Sequence, residues 1–200
     1  MTRIAQIIVA AGKGARLGST TPKQYLKLAE KPLIAHTISA MKSCNRIDET
    51  IVVVDKDDKF ILEIVNGYKN MRIVTGGKTR AESSMAGLLA LSKNPPDIVL
   101  IHDAARPFVS KAVINDVLSN LKKNTAVAPA LPIVDALKTI DGDKVNRKSL
   151  YRIQTPQGFN YKEIIEAYRN LKSQTIPDDD IEVAKLSGLN ICYSAGDPDN

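Results

Sequence analysis

Short apolar runs rich in β-branched residues alternate with longer amphipathic stretches along most of the 200 residues. Five strands are predicted from the apolar runs, each rich in Ile, Val or Leu: Ala5–Ala10, Thr50–Asp55, Met71–Thr75, Asp97–His102 and Ala126–Leu131. Strands without a regular polar alternation are typical of a parallel sheet that is covered by helices on both faces. We therefore expect an α/β fold around a mostly parallel sheet.

The stretches between these strands have the spacing of amphipathic helices. Four helices are predicted: Leu33–Ser43, Asp57–Gly67, Thr79–Ser92 and Ser110–Lys123. Thr79 followed by Glu82 has the pattern of a capping box, and Ser110 can cap the fourth helix. The remaining elements are predicted as a strand near Arg152–Thr155, helices over Tyr161–Leu171 and Asp178–Ser187, and a strand over Ile191–Ser194.

The regular alternation stops after Leu131. The segment from Pro132 to Tyr151 combines short apolar runs with the turn signal Asp141-Gly142-Asp143, which predicts a β-hairpin that leaves the main sheet. The residues alone leave two interpretations open, a surface elaboration or an arm that forms a dimer. Because the chain shows neither an internal repeat nor a linker, residues 1–200 are expected to form a single domain.

Composition excludes several classes of protein. The longest apolar runs are far shorter than the roughly 20 residues that a membrane helix needs, so no membrane partner is expected. The first residues lack a signal or transit pattern, which predicts a cytoplasmic location. Cys44 and Cys192 stand too far apart for a zinc motif or a disulfide framework. The net charge of +6 suits any polyanion, but no basic and aromatic stripe points to nucleic acid.

Ligands of open parallel sheets bind beyond the carboxyl ends of the strands, so the loops that follow the strands are the first places to examine. The first loop, residues 10–18, contains three glycines and is followed by Pro22-Lys23-Gln24. Glycines allow backbone N–H groups to surround a phosphate, and Arg16 and Lys23 can add charged contacts. The dinucleotide and Walker patterns do not fit, because Leu17 replaces a required glycine and Gly18-Ser19 lacks a lysine. A tight turn with solvated basic residues is the plainer alternative.

The second loop places Gly76 and Gly77 before a predicted helix. Free N–H groups at such a position can face an anion or the edge of a base, with Arg80 and Ser83 in the first turn as further contacts. An ordinary Gly-Gly turn before a helix is equally compatible with these residues.

The third loop reads His102-Asp103-Ala104-Ala105-Arg106-Pro107. A carboxylate at the end of a strand, beside bound phosphates, suits Mg²⁺, so Asp103 is predicted as a metal ligand, with a turn cap as the alternative. Arg106 suits the phosphate of a second substrate. His102 is expected to be packed and hydrogen-bonded to backbone, because no second ligand stands at metal spacing. The acidic run at 178–180 favours a helix N-terminus over a metal site.

Taken together, these loops resemble those of the 2-C-methyl-D-erythritol 4-phosphate cytidylyltransferases, and the resemblance covers the chain in order. It implies a Rossmann-like nucleotidyltransferase fold with a protruding β-arm at about 132–152. It also implies Mg²⁺-dependent transfer of CMP from CTP to 2-C-methyl-D-erythritol 4-phosphate. The products are 4-diphosphocytidyl-2-C-methyl-D-erythritol, an intermediate of non-mevalonate isoprenoid biosynthesis, and pyrophosphate.

The resemblance also implies roles for individual residues. Arg16 and Lys23 would be catalytic and would stabilise the α-phosphate. The residues that would bind CTP are Ala10, Ala11, Gly12, Gly14, Gly77, Arg80, Ser83 and Ala104. The residues that would bind the acceptor are Asp103, Arg106, Arg147 and Asp179, with Asp103 also holding Mg²⁺. Arg147 would reach the neighbouring active site from the β-arm, so a homodimer is expected.

The chain departs from the family pattern at three places. Ala136 stands where the arm commonly carries a threonine, and Asp178 stands where a hydroxyl precedes the aspartate. The chain ends at Asn200, before a lysine-containing segment of the family, so it is expected to be cut short at its C-terminus. Two alternatives remain open: a ribitol-5-phosphate cytidylyltransferase, and a nucleotide-binding module without catalysis, either a degenerate paralogue or a fragment of a fused enzyme.

Overall fold

An eight-stranded sheet forms the centre of the structure, a computed structural model that describes residues 2–12, 21–172 and 174–200. Its strands are β1 (Ile4–Val9), β4 (Glu49–Val54), β5 (Met71–Thr75), β6 (Ile98–Asp103), β7 (Ala126–Pro132), β8 (Tyr151–Ile153), β9 (Gln157–Asn160) and β10 (Ile191–Ala195). A separate two-stranded sheet joins β2 (Lys27–Leu28) and β3 (Lys31–Pro32). The five strands predicted first are all present, within one residue at either end.

The strand order is β10-β7-β9-β6-β1-β4-β5, with β8 also paired to β7. The pairs β6-β1, β1-β4, β4-β5 and β7-β10 are parallel. The strands β8 and β9 run antiparallel to β7, and β9 is also antiparallel to β6. The prediction of a mostly parallel sheet is therefore confirmed.

Helices cover both faces of this sheet. They are α1 (Leu33–Lys42), α2 (Ile61–Val65), α3 (Arg80–Ala90), α4 (Lys111–Asn120), α5 (Tyr161–Arg169) and α6 (Asp180–Leu186). Helices α3, α5 and α6 pack on one face, while α1, α2 and α4 pack on the other. Strand β1 contributes side chains to the hydrophobic cores on both faces of the sheet. Ile7 packs in the core under α3, α5 and α6, and Ile8 packs in a core under α1 and α2, and each is 0% exposed. This two-sided burial explains why the strands lack polar alternation.

Side-chain caps set the helix starts that the sequence predicted. Thr79 accepts a hydrogen bond from the N–H of Glu82, and Ser110 accepts one from the N–H of Val113. Each cap satisfies a backbone donor that has no partner within its helix. The interpretation of the acidic run as a helix start is also confirmed, because Asp179 accepts from the N–H of Glu182.

Several elements differ from the prediction, among them the two-stranded sheet of β2 and β3, which was not predicted. The helix predicted over Asp57–Gly67 shortens to Ile61–Val65, because Asp58 Oδ1 accepts the N–H groups of Phe60 and Ile61 and so delays the first helical turn. Strand β9 was not predicted, since it is only four residues long and contains Gly158. A Cβ at Gly158 would lie 2.6 Å from Val117 Cγ1, so close packing of α4 against the strand requires glycine here.

Residues 133–150 lie outside the main sheet. Lys138 and Lys144 form an isolated antiparallel bridge, and the N–H of Thr139 donates to the carbonyl of Asp143 across the turn. Ile140 at the tip is fully exposed. The function of this segment as a β-arm stays a prediction. No helix within the described residues is long and apolar enough to cross a membrane.

Candidate active site

A cavity of about 540 Å³ opens at the carboxyl ends of the parallel strands. Eleven residues predicted for the site line it: Ala10, Ala11, Gly12, Lys23, Gly77, Arg80, Ser83, Asp103, Ala104, Arg106 and Asp179. Gly14 and Arg16 lie outside the described residues. Among the described site residues, Arg147 alone does not line the cavity, since it lies in a 3-10 turn beyond the sheet with its guanidinium on the carbonyl of Val134.

Gln24 fixes the beginning of the first loop. Its side chain is 4% exposed, and its Nε2 donates to the carbonyls of Ala10 and Gly12, the latter at 3.1 Å. The N–H of Ala10 donates to Val53 in β4, which ties the loop to the sheet. These bonds fix the backbone at Ala10 and Gly12, both of which line the cavity.

Lys23 precedes Gln24 in a short 3-10 turn that covers Lys23–Tyr25. Gln24 and Tyr25 are buried, and the Tyr25 hydroxyl donates to Asp58, so the turn is anchored by its last two residues. Lys23 itself is exposed to solvent and lines the cavity. The turn thus presents one lysine ammonium to whatever anion enters.

In the second loop, backbone N–H groups already have partners within the protein, as in the ordinary Gly-Gly turn that the sequence left open. The N–H of Gly77 donates to Ser83 Oγ at 3.2 Å, and the N–H of Lys78 donates to Glu82 at 2.6 Å. These donors are not free for an anion, because the side chains of α3 already use them. The glycines instead allow close packing, since a Cβ at Gly77 would lie 2.3 Å from that of Glu82. Any ligand contact of this loop has to use other atoms, such as its carbonyls or the Arg80 guanidinium.

Asp103, at the end of β6, lies between two arginines. Its Oδ1 is 3.3 Å from Nε of Arg80, and its Oδ2 is 3.2 Å from Nε of Arg106. Burial alone raises the pKa of the Asp103 carboxyl, but the positive charges of Arg80 and Arg106 outweigh burial and hold the pKa below its usual value. The carboxylate is therefore ionised and fixed in direction at neutral pH.

Arg80 connects Asp103 to a second, fully buried carboxylate. Its Nη1 lies 2.7 Å from Oδ2 of Asp180, which is 0% exposed and whose other oxygen accepts the hydroxyl of Tyr168. Burial acts to lower the pKa of Arg80, and the charges of Asp180 and Asp103 more than reverse this, so the pKa is raised. Arg80 is thus a permanently charged link between the two acidic groups.

Asp179 both caps α6 and lines the cavity. Its Oδ1 accepts the N–H of Glu182 at 2.9 Å, and its Oδ2 accepts Nε2 of the buried Gln157 at 3.1 Å. The other amide atom of Gln157 accepts the N–H of Ile181 at 2.9 Å. The carboxylate keeps lone pairs that can accept from a ligand hydroxyl.

His102 is buried and hydrogen-bonded to backbone, as the sequence predicted. It is 0% exposed, and its Nε2 lies 3.0 Å from the carbonyl oxygen of Arg106. Its Nδ1 lies 2.8 Å from Oγ1 of Thr155. Burial lowers the pKa of His102 to about 4, which keeps the imidazole neutral at physiological pH.

This buried imidazole makes a prediction about stability. An unfolded histidine takes up a proton near pH 6.5, whereas folded His102 resists protonation down to about pH 4. Acidification therefore favours the unfolded state throughout this window, and the wild-type chain should lose about 3 kcal/mol of unfolding free energy from this group. Urea titrations from pH 7 to pH 4 should show this loss in wild type and in His36→Gln, and a smaller one in His102→Gln. Parallel curves for all three would contradict the prediction.

Among the cavity-lining residues that were not assigned from the sequence, three are buried and polar: Gln24, Thr155 and Gln157. Each is an uncharged polar residue that is at most 5% exposed. Their one shared sequence signal is an uncharged polar residue within two positions of a proline, as in Pro22-Lys23-Gln24 and Gln154-Thr155-Pro156-Gln157. Such residues are expected to make hydrogen bonds inside the protein, but the sequence does not identify their partners.

Comparison with known proteins gives concordant results. Residues 4–200 match the family model described as 2-C-methyl-D-erythritol 4-phosphate cytidylyltransferase (IspD). The chain is 38% identical over 202 residues to the protein of that name from Cereibacter sphaeroides strain KD131, covering 98% of this chain and 89% of that one. It is also 38% identical over 197 residues to the "bifunctional enzyme IspD/IspF" of Erythrobacter litoralis, covering 96% and 51% respectively.

The solved structures agree with the sequence comparison. The crystal structure of 4-diphosphocytidyl-2C-methyl-D-erythritol synthase from Anaerococcus prevotii superimposes with a TM-score of 0.86 at 31% identity, covering all of this chain and 91% of that one. The bifunctional IspDF of Campylobacter jejuni gives 0.84 at 27% identity, with coverage of 99% and 51%. The chain thus spans about half the length of its bifunctional relatives.

Proposed function

The chain belongs to the 2-C-methyl-D-erythritol 4-phosphate cytidylyltransferase family, and on that premise we propose that it transfers CMP from CTP to 2-C-methyl-D-erythritol 4-phosphate. An oxygen of the acceptor phosphate forms a bond to the α-phosphorus of CTP. The bond from that phosphorus to the bridging oxygen of the β-phosphate breaks, and pyrophosphate leaves. The products are 4-diphosphocytidyl-2-C-methyl-D-erythritol and pyrophosphate.

One observation carries the proposal. Three loops that are distant in sequence, beginning at Ala10, Gly76 and Asp103, meet around one cavity, and the basic side chains Lys23 and Arg106 enter it. Two phosphorylated substrates bring several negative charges together, so a site for them needs fixed positive charge. The +6 net charge and these positions support a pair of small anions as ligands.

The chemistry that we propose relies on position and charge. Transfer of a nucleotidyl group between phosphates requires in-line alignment and stabilisation of the oxygens around the reacting phosphorus. We assign that stabilisation to Lys23 and, from the family pattern, to Arg16. We assign the CTP contacts to the loops at Ala10 and Gly77 and to Ala104, with Ser83 supporting the second loop through its bond to Gly77.

Asp103 is the residue that would hold Mg²⁺. Mg²⁺ in such sites is bound by one or two carboxylates together with substrate phosphates. Each carboxylate oxygen of Asp103 contacts one arginine and keeps a second lone pair, so the residues fit this mode. When bound, Mg²⁺ supplies positive charge to the phosphate oxygens. No cluster of three acidic, His or Cys side chains suited to a metal exists in the described parts of the chain, which favours a shared site with CTP.

Acceptor binding is proposed for Asp103, Arg106 and Asp179, with Arg147 contributing from the arm of a partner in a homodimer. Ala136 supplies no hydroxyl to the acceptor phosphate, and loss of one hydrogen bond at that position costs about 1–3 kcal/mol of binding. A cytoplasmic location stays a prediction.

The proposal is tested by pyrophosphate release. Purified protein with CTP and Mg²⁺ is offered 2-C-methyl-D-erythritol 4-phosphate, ribitol 5-phosphate and a panel of sugar phosphates. We expect release with the methylerythritol phosphate and its loss when Mg²⁺ is chelated. Preference for ribitol 5-phosphate would instead identify the alternative transferase. Absence of release with every acceptor, together with retained CTP binding, would indicate a nucleotide-binding module.

A further inference from the structure

The hydrogen bonds around His102 have only one consistent arrangement of protons. The carbonyl of Arg106 can only accept, so the proton of the neutral ring lies on Nε2. Nδ1 is then an acceptor, and the hydroxyl of Thr155 has to donate to it. This leaves Thr155 Oγ1 as the acceptor for the N–H of Asp103, which lies 3.2 Å away. A directed chain therefore runs from Asp103 through Thr155 and His102 to Arg106.

This chain of hydrogen bonds fixes both ends of the loop from Asp103 to Arg106. Its first bond fixes the backbone where the Asp103 side chain leaves β6, and its last bond fixes the backbone of Arg106. Ala104, between them, is held by different partners: its N–H donates to Val9 and its carbonyl accepts the hydroxyl of Thr37 at 2.7 Å. Replacing His102 should thus move Asp103 and Arg106, which are proposed to bind the acceptor substrate, and leave Ala104, which is proposed to contact CTP, in place.

We propose that His102 is a positioning residue for the acceptor, acting through the backbone of Asp103 and Arg106 without touching either substrate. The inference rests on the proposed function, because it assigns acceptor binding to these two residues. His102 does not line the cavity and is fully buried, so any effect of its replacement on acceptor binding is indirect.

Two substitutions of His102 separate its bond with Thr155 from its bond with Arg106. His102→Asn keeps an acceptor near the position of Nδ1 and loses the bond to Arg106, whereas His102→Gln keeps a donor near Nε2 and loses the bond from Thr155. His36→Asn is the matched control, because Nε2 of His36 also contacts a backbone carbonyl, that of Leu28, away from the cavity. Thr155→Ser keeps the hydroxyl of the chain and Thr155→Val removes it.

Steady-state pyrophosphate release should show a split between the two substrates. We expect each His102 variant and Thr155→Val to raise KM for the acceptor by about 10-fold to 100-fold, and to raise KM for CTP, measured at saturating Mg²⁺, by a clearly smaller factor that reflects only the Mg²⁺ that Asp103 would hold. His36→Asn should behave as wild type, and Thr155→Ser, which keeps the hydroxyl, should show a smaller rise in KM for the acceptor than Thr155→Val. Equal effects on both KM values, or no effect on either, would overturn the inference.

A second measurement does not depend on activity. Nitrogen-15 NMR of the imidazole at pH 7 should show His102 protonated on Nε2 and unprotonated on Nδ1, with the Nδ1 shift changed by Thr155→Val. A proton on Nδ1 would overturn the inference even in an active enzyme. A wild-type chain with the Nε2 proton but without pyrophosphate release would contradict the proposed function and leave the hydrogen-bond chain established.

Discussion

Lys23→Ala should slow pyrophosphate release by about 10²-fold to 10³-fold, the range found when one charge-stabilising group is removed from an active site. Lys23 projects into the cavity from a turn that Gln24 and Tyr25 anchor, and its own side chain is exposed. The expected loss therefore falls on kcat, because the ammonium is assigned to charge at the α-phosphate. A circular dichroism melt should be unchanged.

Lys31→Ala is the matched control for this experiment. Lys31 is another exposed lysine, eight residues further along in β3, and it does not line the cavity. Its replacement should leave the rate within a factor of two. If Lys23→Ala released pyrophosphate at the wild-type rate, the proposed mechanism would be wrong. Arg16→Ala is expected to show a loss of the same order, on the basis of the family pattern.

Arg80→Met should cost about 3–5 kcal/mol of unfolding free energy, because it leaves the buried carboxylate of Asp180 without its counter-charge. Asp180 is 0% exposed and retains only the hydroxyl of Tyr168 among the partners described above. Chemical denaturation of the whole chain at pH 7 measures the loss. Activity should fall as well, since Asp103 would lose the contact that fixes its Oδ1.

Two further variants test whether the buried charge is the cause. Arg80→Met combined with Asp180→Asn should recover most of the lost free energy, since the neutral amide can still accept from Tyr168. Arg72→Met removes an arginine that pairs with Glu49 but is 51% exposed, so its cost should stay below about 1 kcal/mol. Two results would show that the unpaired buried charge of Asp180 does not cause the loss of stability. One is an equal loss of unfolding free energy in Arg72→Met and Arg80→Met, and the other is a double variant that is no more stable than Arg80→Met.

The parts of the fold that the sequence predicted well are those with strong local signals. The strands Met71–Thr75 and Ile98–Asp103 are built on short apolar runs rich in β-branched residues, and Thr79 and Ser110 cap helices through residues three positions away. Because parallel strands end at one edge of the sheet, the loops after them could be expected to meet. The cavity confirms that they do.

The missing parts depend on pairing between distant segments. Strand β9 is placed by its neighbours β6 and β7, and neither its four residues nor Gly158 give a strand signal. Bonds such as that from Thr155 to His102 join residues from separate elements, so no local spacing predicts them. The two interpretations of the Gly-Gly loop stayed open because a sequence does not tell whether N–H groups face a ligand or the side chains of Glu82 and Ser83.

The insertion of β9 between β6 and β7 has a consequence for how the protein is made. During synthesis from the N-terminus, β6 and β7 emerge before the strand that separates them. Residue 160 has to leave the ribosome before β9 can pair with both β6 and β7. Strand β10, which pairs with β7, joins the sheet later. The half formed by β6-β1-β4-β5 can assemble earlier, from contacts within residues 4–103. The wall of the cavity that contains Thr155 and Gln157 therefore forms after the parallel half of the sheet, and a nascent chain acquires its site only after residue 160 has emerged.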